Sequence, residues 1–114
     1  EPRALTQSDK SVFVLGKGPN IVVCLDIESG QIRWQHRLAD VVNSLLYDNG
    51  YLYLIELGMN QVPRLKVYGE ADGQLFAEFP VSKHQPSDPV ACPGGIAIAS
   101  SQRSIFVYSL FSLP

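Results

Sequence analysis

Val23-Cys24-Leu25-Asp26-Ile27-Glu28-Ser29-Gly30-Gln31-Ile32 and Lys66-Val67-Tyr68-Gly69-Glu70-Ala71-Asp72-Gly73-Gln74-Leu75 are two versions of one pattern. Each runs from a short apolar stretch into a polar turn, closes on Gly-Gln and resumes with an aliphatic residue. The two Gly-Gln pairs stand 43 residues apart, and the hairpin glycines Gly50 and Gly95 stand 45 apart. A third version opens at Phe106-Val107-Tyr108-Ser109, with Val107 lying 40 residues beyond Val67. A single shared Gly-Gln pair is weak evidence, but several features recurring in one order make a repeat. Self-similarity at a fixed period constrains architecture more than any single residue does.

Around the repeat the chain reads as short strands. Apolar or alternating segments recur between clusters of Gly, Asn, Asp and Pro, and helical periodicity is almost absent. Ten strands are expected: Ser11–Leu15, Ile21–Asp26, Gln31–Leu38, Ser44–Tyr47, Tyr51–Leu57, Arg64–Tyr68, Gln74–Pro80, Val90–Cys92, Ile96–Ser100 and Ser104–Leu110. Asp48-Asn49-Gly50 is a hairpin signal, because Asn and Gly both tolerate positive φ. Gly94-Gly95 takes the equivalent place later. Ser82 to Pro89 is expected to be the one long loop, and Pro63 to begin a strand or stand where no ladder amide is needed.

A period of about 40–45 residues with four strands in each period is that of a β-propeller blade. Leucine-rich repeats are shorter, and helical repeats need helices. The expected fold class is therefore all-β, with antiparallel four-stranded propeller blades in one segment, residues 1–114. The blade repeats fall roughly at 11–43, 44–81 and 88–114. Ten strands at four to a blade make two and a half blades, which do not close a ring. An open arc exposes apolar faces and unpaired edges. An incomplete propeller is thus expected, either a fragment or a ring closed by oligomerisation with copies or another chain. A small compact β fold that rearranges the same strands is the alternative.

The first version also resembles a family. Cys24-Leu25-Asp26-Ile27-Glu28-Ser29-Gly30-Gln31-Ile32-Arg33-Trp34 is similar to the tryptophan-docking motif of quinoprotein-like propellers, the PQQ-repeat family, with Asp26, Gly30 and Trp34 on its three characteristic positions. Cys24 replaces the usual Ala and Gln31 the usual Lys. Asp at a strand end accepts amide bonds within the turn, and Gly closes the turn at positive φ. The resemblance implies that Trp34 docks between neighbouring blades, where an indole buries a large area and can donate its N–H to a main-chain carbonyl. In the second version Gly73 is kept, while Gly69 replaces Asp and Ala77 replaces Trp, with Phe76 and Phe79 available to supply the lost bulk. The WD family fits less well, because neither a Gly-His nor a Trp-Asp pair occurs.

Composition narrows the function. Hydrophobic residues make up 46% and charged residues 18%, as in a packed globular chain, and the formal charge is −2. A near-neutral chain lacks the basic excess that nucleic acid or anionic lipid demands. No apolar run is long enough to span a bilayer, and Glu1-Pro2-Arg3 does not read as a secretion signal. Cys24 and Cys92, each among apolar residues, read as buried thiols, with a disulfide as the other option. His36 and His84 have no ligand at metal spacing. Glu28 and Glu70 sit in equivalent turns and read as solvated carboxylates. No nucleophile elbow, phosphate loop or dinucleotide fingerprint occurs, and Gly16-Lys17-Gly18-Pro19 is a turn with no helix after it. Tyr47, Tyr51 and Tyr53 cluster around one hairpin, as cross-strand packing or as a binding surface.

No catalytic, cofactor-binding or metal residue is assigned, and no cofactor is expected. The leading expectation is a non-catalytic scaffold or interaction module for protein–protein binding, partnered by another protein or by itself. One alternative is a fragment of a quinone-dependent dehydrogenase, whose catalytic site would lie in a remainder. Such enzymes in the family use a Cys pair, a sandwiching Trp and Glu, Asn and Asp around calcium; this chain has no Cys-Cys and a single Trp. A small-ligand or glycan sensor is the other alternative. The resemblance also implies a periplasmic, secreted or lumenal setting, through the outer-membrane assembly lipoproteins and lumenal stress sensors that share the scaffold.

Overall fold

The computed structural model describes residues 2–16, 20–38, 41–57, 62–80, 90–92, 95–99 and 105–108. The strands are β1 (Pro2–Gln7), β2 (Ser11–Gly16), β3 (Ile21–Asp26), β4 (Ile32–Arg37), β5 (Val41–Asp48), β6 (Tyr51–Leu57), β7 (Arg64–Gly69), β8 (Leu75–Pro80), β9 (Val90–Cys92), β10 (Gly95–Ala99) and β11 (Ile105–Tyr108). They form two four-stranded sheets, β1-β2-β3-β4 and β5-β6-β7-β8, and a three-stranded sheet, β11-β10-β9. Every pairing is antiparallel between sequence neighbours. The first strands lie side by side, β1 against β5 and β5 against β9. No helix is present among the described residues, and none is long and apolar enough to cross a membrane.

Among the described residues, eleven strands stand where ten were expected, and β1 is the addition. Pro2-Arg3-Ala4-Leu5-Thr6-Gln7 has no clean alternation, and its register slips between Pro2 and Ala4. Proline at a strand's first residue forfeits little, because a ladder end has fewer amides to satisfy. The first sheet therefore begins at Pro2 instead of Ser11, and the second at Val41 instead of Ser44. Pro63 is buried just ahead of β7. The Ser82–Pro89 loop, Lys17–Pro19, Gly94 and His84 lie outside the described residues.

Alternation along β2 and β3 sorts their side chains onto two faces. Phe13, Leu15, Val22 and Cys24 join Trp34 and Leu38 on one face of the first sheet. Val42, Leu52, Leu54 and Tyr68 meet them from the second sheet, and Leu45 and Tyr47 pack alongside. The far face of the second sheet gathers Tyr53, Ile55, Leu65 and Val67, with Tyr51, Ala77 and Phe79 beside them. Burying each such side chain is worth roughly 1.5–3 kcal/mol, so this inter-sheet contact orients the two sheets.

Candidate functional site

The repeated turn is built the same way twice. Asp26 N–H donates to the Gln31 carbonyl (2.8 Å) and Gly30 N–H to the Asp26 carbonyl (2.8 Å); Gly69 N–H donates to Gln74 (3.0 Å) and Gly73 N–H to Gly69 (2.9 Å). Gly30 and Gly73 close the turns at φ 74° and 72°, where only glycine is unstrained. The Asp26 carboxylate accepts from the amides of Glu28 (2.8 Å) and Ser29 (3.3 Å). These two bonds hold its carboxyl below the usual range. Gly69 has no carboxylate to offer. In the second turn Asp72 serves from within, accepting from Gln74 N–H (3.0 Å), as the Ser29 hydroxyl accepts from Gln31 N–H (3.2 Å).

Trp34 leaves its own sheet and closes on the second turn. Its indole N–H donates to the Glu70 carbonyl at 2.8 Å. The ring lies on Gly73 so tightly that a Cβ there would come within 2.6 Å of the indole Cγ. His36, two residues along β4 and on the same face, donates its Nε2–H to the Gly73 carbonyl at 2.6 Å and stacks on Tyr68, with ring centroids 4.9 Å apart. That bond fixes which ring nitrogen carries the proton when His36 is neutral. Phe13 completes the cluster, 6.1 Å from Trp34 and stacked on Tyr47 at 5.6 Å.

Glu70 departs from expectation. Instead of a solvated carboxylate it is a half-buried acceptor between the sheets, taking bonds from the Ser8 hydroxyl of the β1–β2 turn and from Tyr47 (2.9 Å). Burial alone would raise its carboxyl. The bonds from Ser8 and Tyr47, with help from the nearby Ser11 hydroxyl and Arg33, outweigh burial and hold it below the usual glutamate range. Ser11 Oγ is itself buried and makes no hydrogen bond among the described residues. Tyr47 in turn is raised, first by burial and then by its bond to Glu70, and its hydroxyl accepts from Gly50 N–H (3.0 Å). Nothing local in the sequence signals that Ser8 meets Glu70, 62 residues away. Beside this latch lies a cleft of about 510 Å³ lined by Gln7, Ser8, Asp9, Lys10, Tyr47 and Glu70.

The three tyrosines do not share one surface. Tyr47 faces the first sheet, whereas Tyr51 and the buried Tyr53 face the other way. Tyr51 packs on the half-exposed Phe76, with ring centroids 4.9 Å apart. Cys24 is a free, buried thiol whose pKa burial pushes up; the Cys92 side chain lies outside the described residues. Among the described residues no three of His, Cys, Asp and Glu come together as metal ligands.

No protein-family model matches the chain, and no curated protein matches it. Solved structures do. A europium-containing methanol dehydrogenase aligns at TM-score 0.64 with 13% identity over 88% of this chain and 21% of its own. The computationally designed Ika4 protein aligns at 0.53 with 14% identity, over 96% of this chain and 91% of its own. BamB from Moraxella catarrhalis gives 0.41 and 15%, covering 90% of this chain and 47% of its own. This chain is a partial β-propeller. At such identities the likeness is one of fold, and the chain spans about a fifth of the dehydrogenase, 21% of its length.

The blades do not have equal surroundings. The first blade's inner face is covered by the second, while its opposite face carries Val12, Val14, Ile21, Val23 and Leu25, all partly exposed. Ile27 is 43% and Ile32 57% exposed at the rim. Among the described residues, the quinone and calcium that some members of the resembled family hold find no fit. The single indole and His36 are both committed to the second blade's turn, and no adjacent cysteines occur.

Proposed function

We propose that this partial propeller is a non-catalytic scaffold that binds protein through the outer face of its first blade. The observation that supports this reading is that blade's apolar, partly exposed face. Register aligns Val12 and Val14 of the first blade with Leu52 and Leu54 of the second, and Leu25 with Tyr68. Leu52 and Leu54 are 0% exposed and Tyr68 6%, because a neighbouring blade covers them. An apolar sheet face built to the same pattern and left partly exposed is a protein-binding surface by its chemistry. Its polar rim, with Lys10, Arg33 and Gln35 exposed, has the layout of an interface with an apolar centre.

A photo-reactive amino acid at Val14 tests this. Covalent adducts to protein, formed with the source cell's extract or with the chain itself and suppressed by Val23→Lys, are the expected result. Adducts to solvent alone, with the fold intact by circular dichroism, would remove this face from consideration.

A further inference from the structure

Asn49-Gly50, the turn between β5 and β6, is the single Asn-Gly pair of the chain. We propose that Asn49 is a site of spontaneous covalent modification, losing its side-chain amide to become isoaspartate, and that the joint between the two blades governs the rate.

The chemistry follows from the residue types. Once Gly50 N–H has given its proton to solvent hydroxide, the nitrogen can attack Cγ of Asn49. The new N–Cγ bond closes a succinimide ring; the bond from Cγ to the side-chain nitrogen breaks, and ammonia leaves with a proton returned by water. Water then opens the ring at either carbonyl, giving aspartate or isoaspartate, and the sequence is redox-neutral. Glycine favours the attack because no Cβ shields its nitrogen. Asn20, Asn43 and Asn60 precede Ile, Ser and Gln, whose side chains hinder it. Asn49 is exposed, so water and hydroxide reach it.

The folded hairpin opposes ring closure. Gly50 N–H donates to the Tyr47 hydroxyl at 3.0 Å, and that hydroxyl donates to Glu70 Oε1 at 2.9 Å. The Gly50 carbonyl accepts from Glu70 N–H at 3.1 Å. Attack therefore requires the amide to leave Tyr47 and the turn to rotate, a local opening of a structure braced on both sides of Gly50. Glu70, which supplies that brace, also joins the blades. Its carboxylate takes the Ser8 hydroxyl of the first blade, and its carbonyl takes the Trp34 indole N–H at 2.8 Å. Isoaspartate routes the main chain through the side chain, adding a carbon to a turn that fits two residues at φ 48° and 93°. Gly50 then shifts from both of its partners, and the contacts of Glu70 with the first blade loosen. Modification at Asn49 is thus slowed by the joint and, once made, relaxes it.

Peptide mapping of the 114-residue chain by mass spectrometry, during incubation in mildly alkaline buffer, tests this. Conversion is expected at Asn49 and not at the other three asparagines, at least about ten-fold more slowly in the folded chain than in urea. Tyr47→Phe, with β-structure retained by circular dichroism, is expected to speed the folded chain several-fold and leave the rate in urea unchanged. Equal rates for folded and unfolded parent, or a folded Tyr47→Phe chain as slow as the parent, would overturn the inference. Should Tyr47→Phe not fold, Gly50 amide exchange in the parent decides, and exchange at the rate of an open turn would overturn it. In the purified isoaspartyl form the Trp34 indole N–H is expected to exchange at least about ten-fold faster than in the parent. Unchanged indole exchange would detach Asn49 from the joint.

Discussion

Gly30 and Gly73 share a backbone conformation but not an environment, and that difference can be measured. Alanine at either position meets the strain of positive φ, about 1–2 kcal/mol. At Gly73 it also collides with the Trp34 ring, adding overpacking of roughly 1–3 kcal/mol. Gly73→Ala is thus expected to destabilise more than Gly30→Ala in urea titrations, and equal losses would mean that the indole does not rest on Gly73. Trp34→Ala should cost about 3–5 kcal/mol, the range for truncating a large core aromatic; a loss under about 1 kcal/mol would sink its role between the blades. Glu70 adds a pH signature. Its folded-state pKa lies below the ordinary 4.5, so its contribution is complete above that value and is lost as pH falls through the folded value. Glu70→Gln should therefore lower Tm at neutral pH, with the difference from the parent closing as pH falls below the ordinary glutamate value and through the lower folded one. A pH-independent gap would show that the carboxylate's charge is immaterial.

At the scale of elements, strands and hairpins obey local rules and their partners do not. The β5–β6 hairpin closes through Asn49 at φ 48° and Gly50 at φ 93°, the two positive values that a tight primed turn needs. Gly50→Ala is expected to cost about 1–2 kcal/mol, seen as a lowered Tm; an unchanged Tm would mean that another turn closes the hairpin. Ten of the eleven strands among the described residues were legible because their alternation or their flanking Gly and Asn is strong. β1 was not, since Pro2 to Gln7 lacks a period-2 pattern and gains its place from pairing with β2 and lying against β5. The second turn teaches a related lesson. Gly69 offers no carboxylate where the first version has Asp26, yet Asp72 accepts an amide bond from Gln74 within the same turn, and the backbone bonds match those of the first.

For the molecule as a whole, the consequence of two blades sharing one interface is that the first blade's other face stays partly open. The isolated chain should bind an environment-sensitive apolar dye, and Val14→Lys with Val23→Lys should lower that signal while β-structure is retained, because large exposed apolar patches are what such dyes report. Dye binding that ignores both substitutions would place the exposed surface elsewhere.

The repeat, the all-β class, the blade period and the turn residues Asp26, Gly30 and Gly73 were readable from residue order, because each rests on spacing or on a backbone angle that one residue type satisfies. Folding in three dimensions was needed to show that Ser8 and Tyr47 converge on Glu70, that His36 binds the Gly73 carbonyl, and that Tyr47 is parted from Tyr51 and Tyr53. Those contacts join groups far apart in the chain, or set neighbours on opposite sheet faces. Their geometry follows from how one twisted sheet packs on the next, which no local pattern of residues specifies.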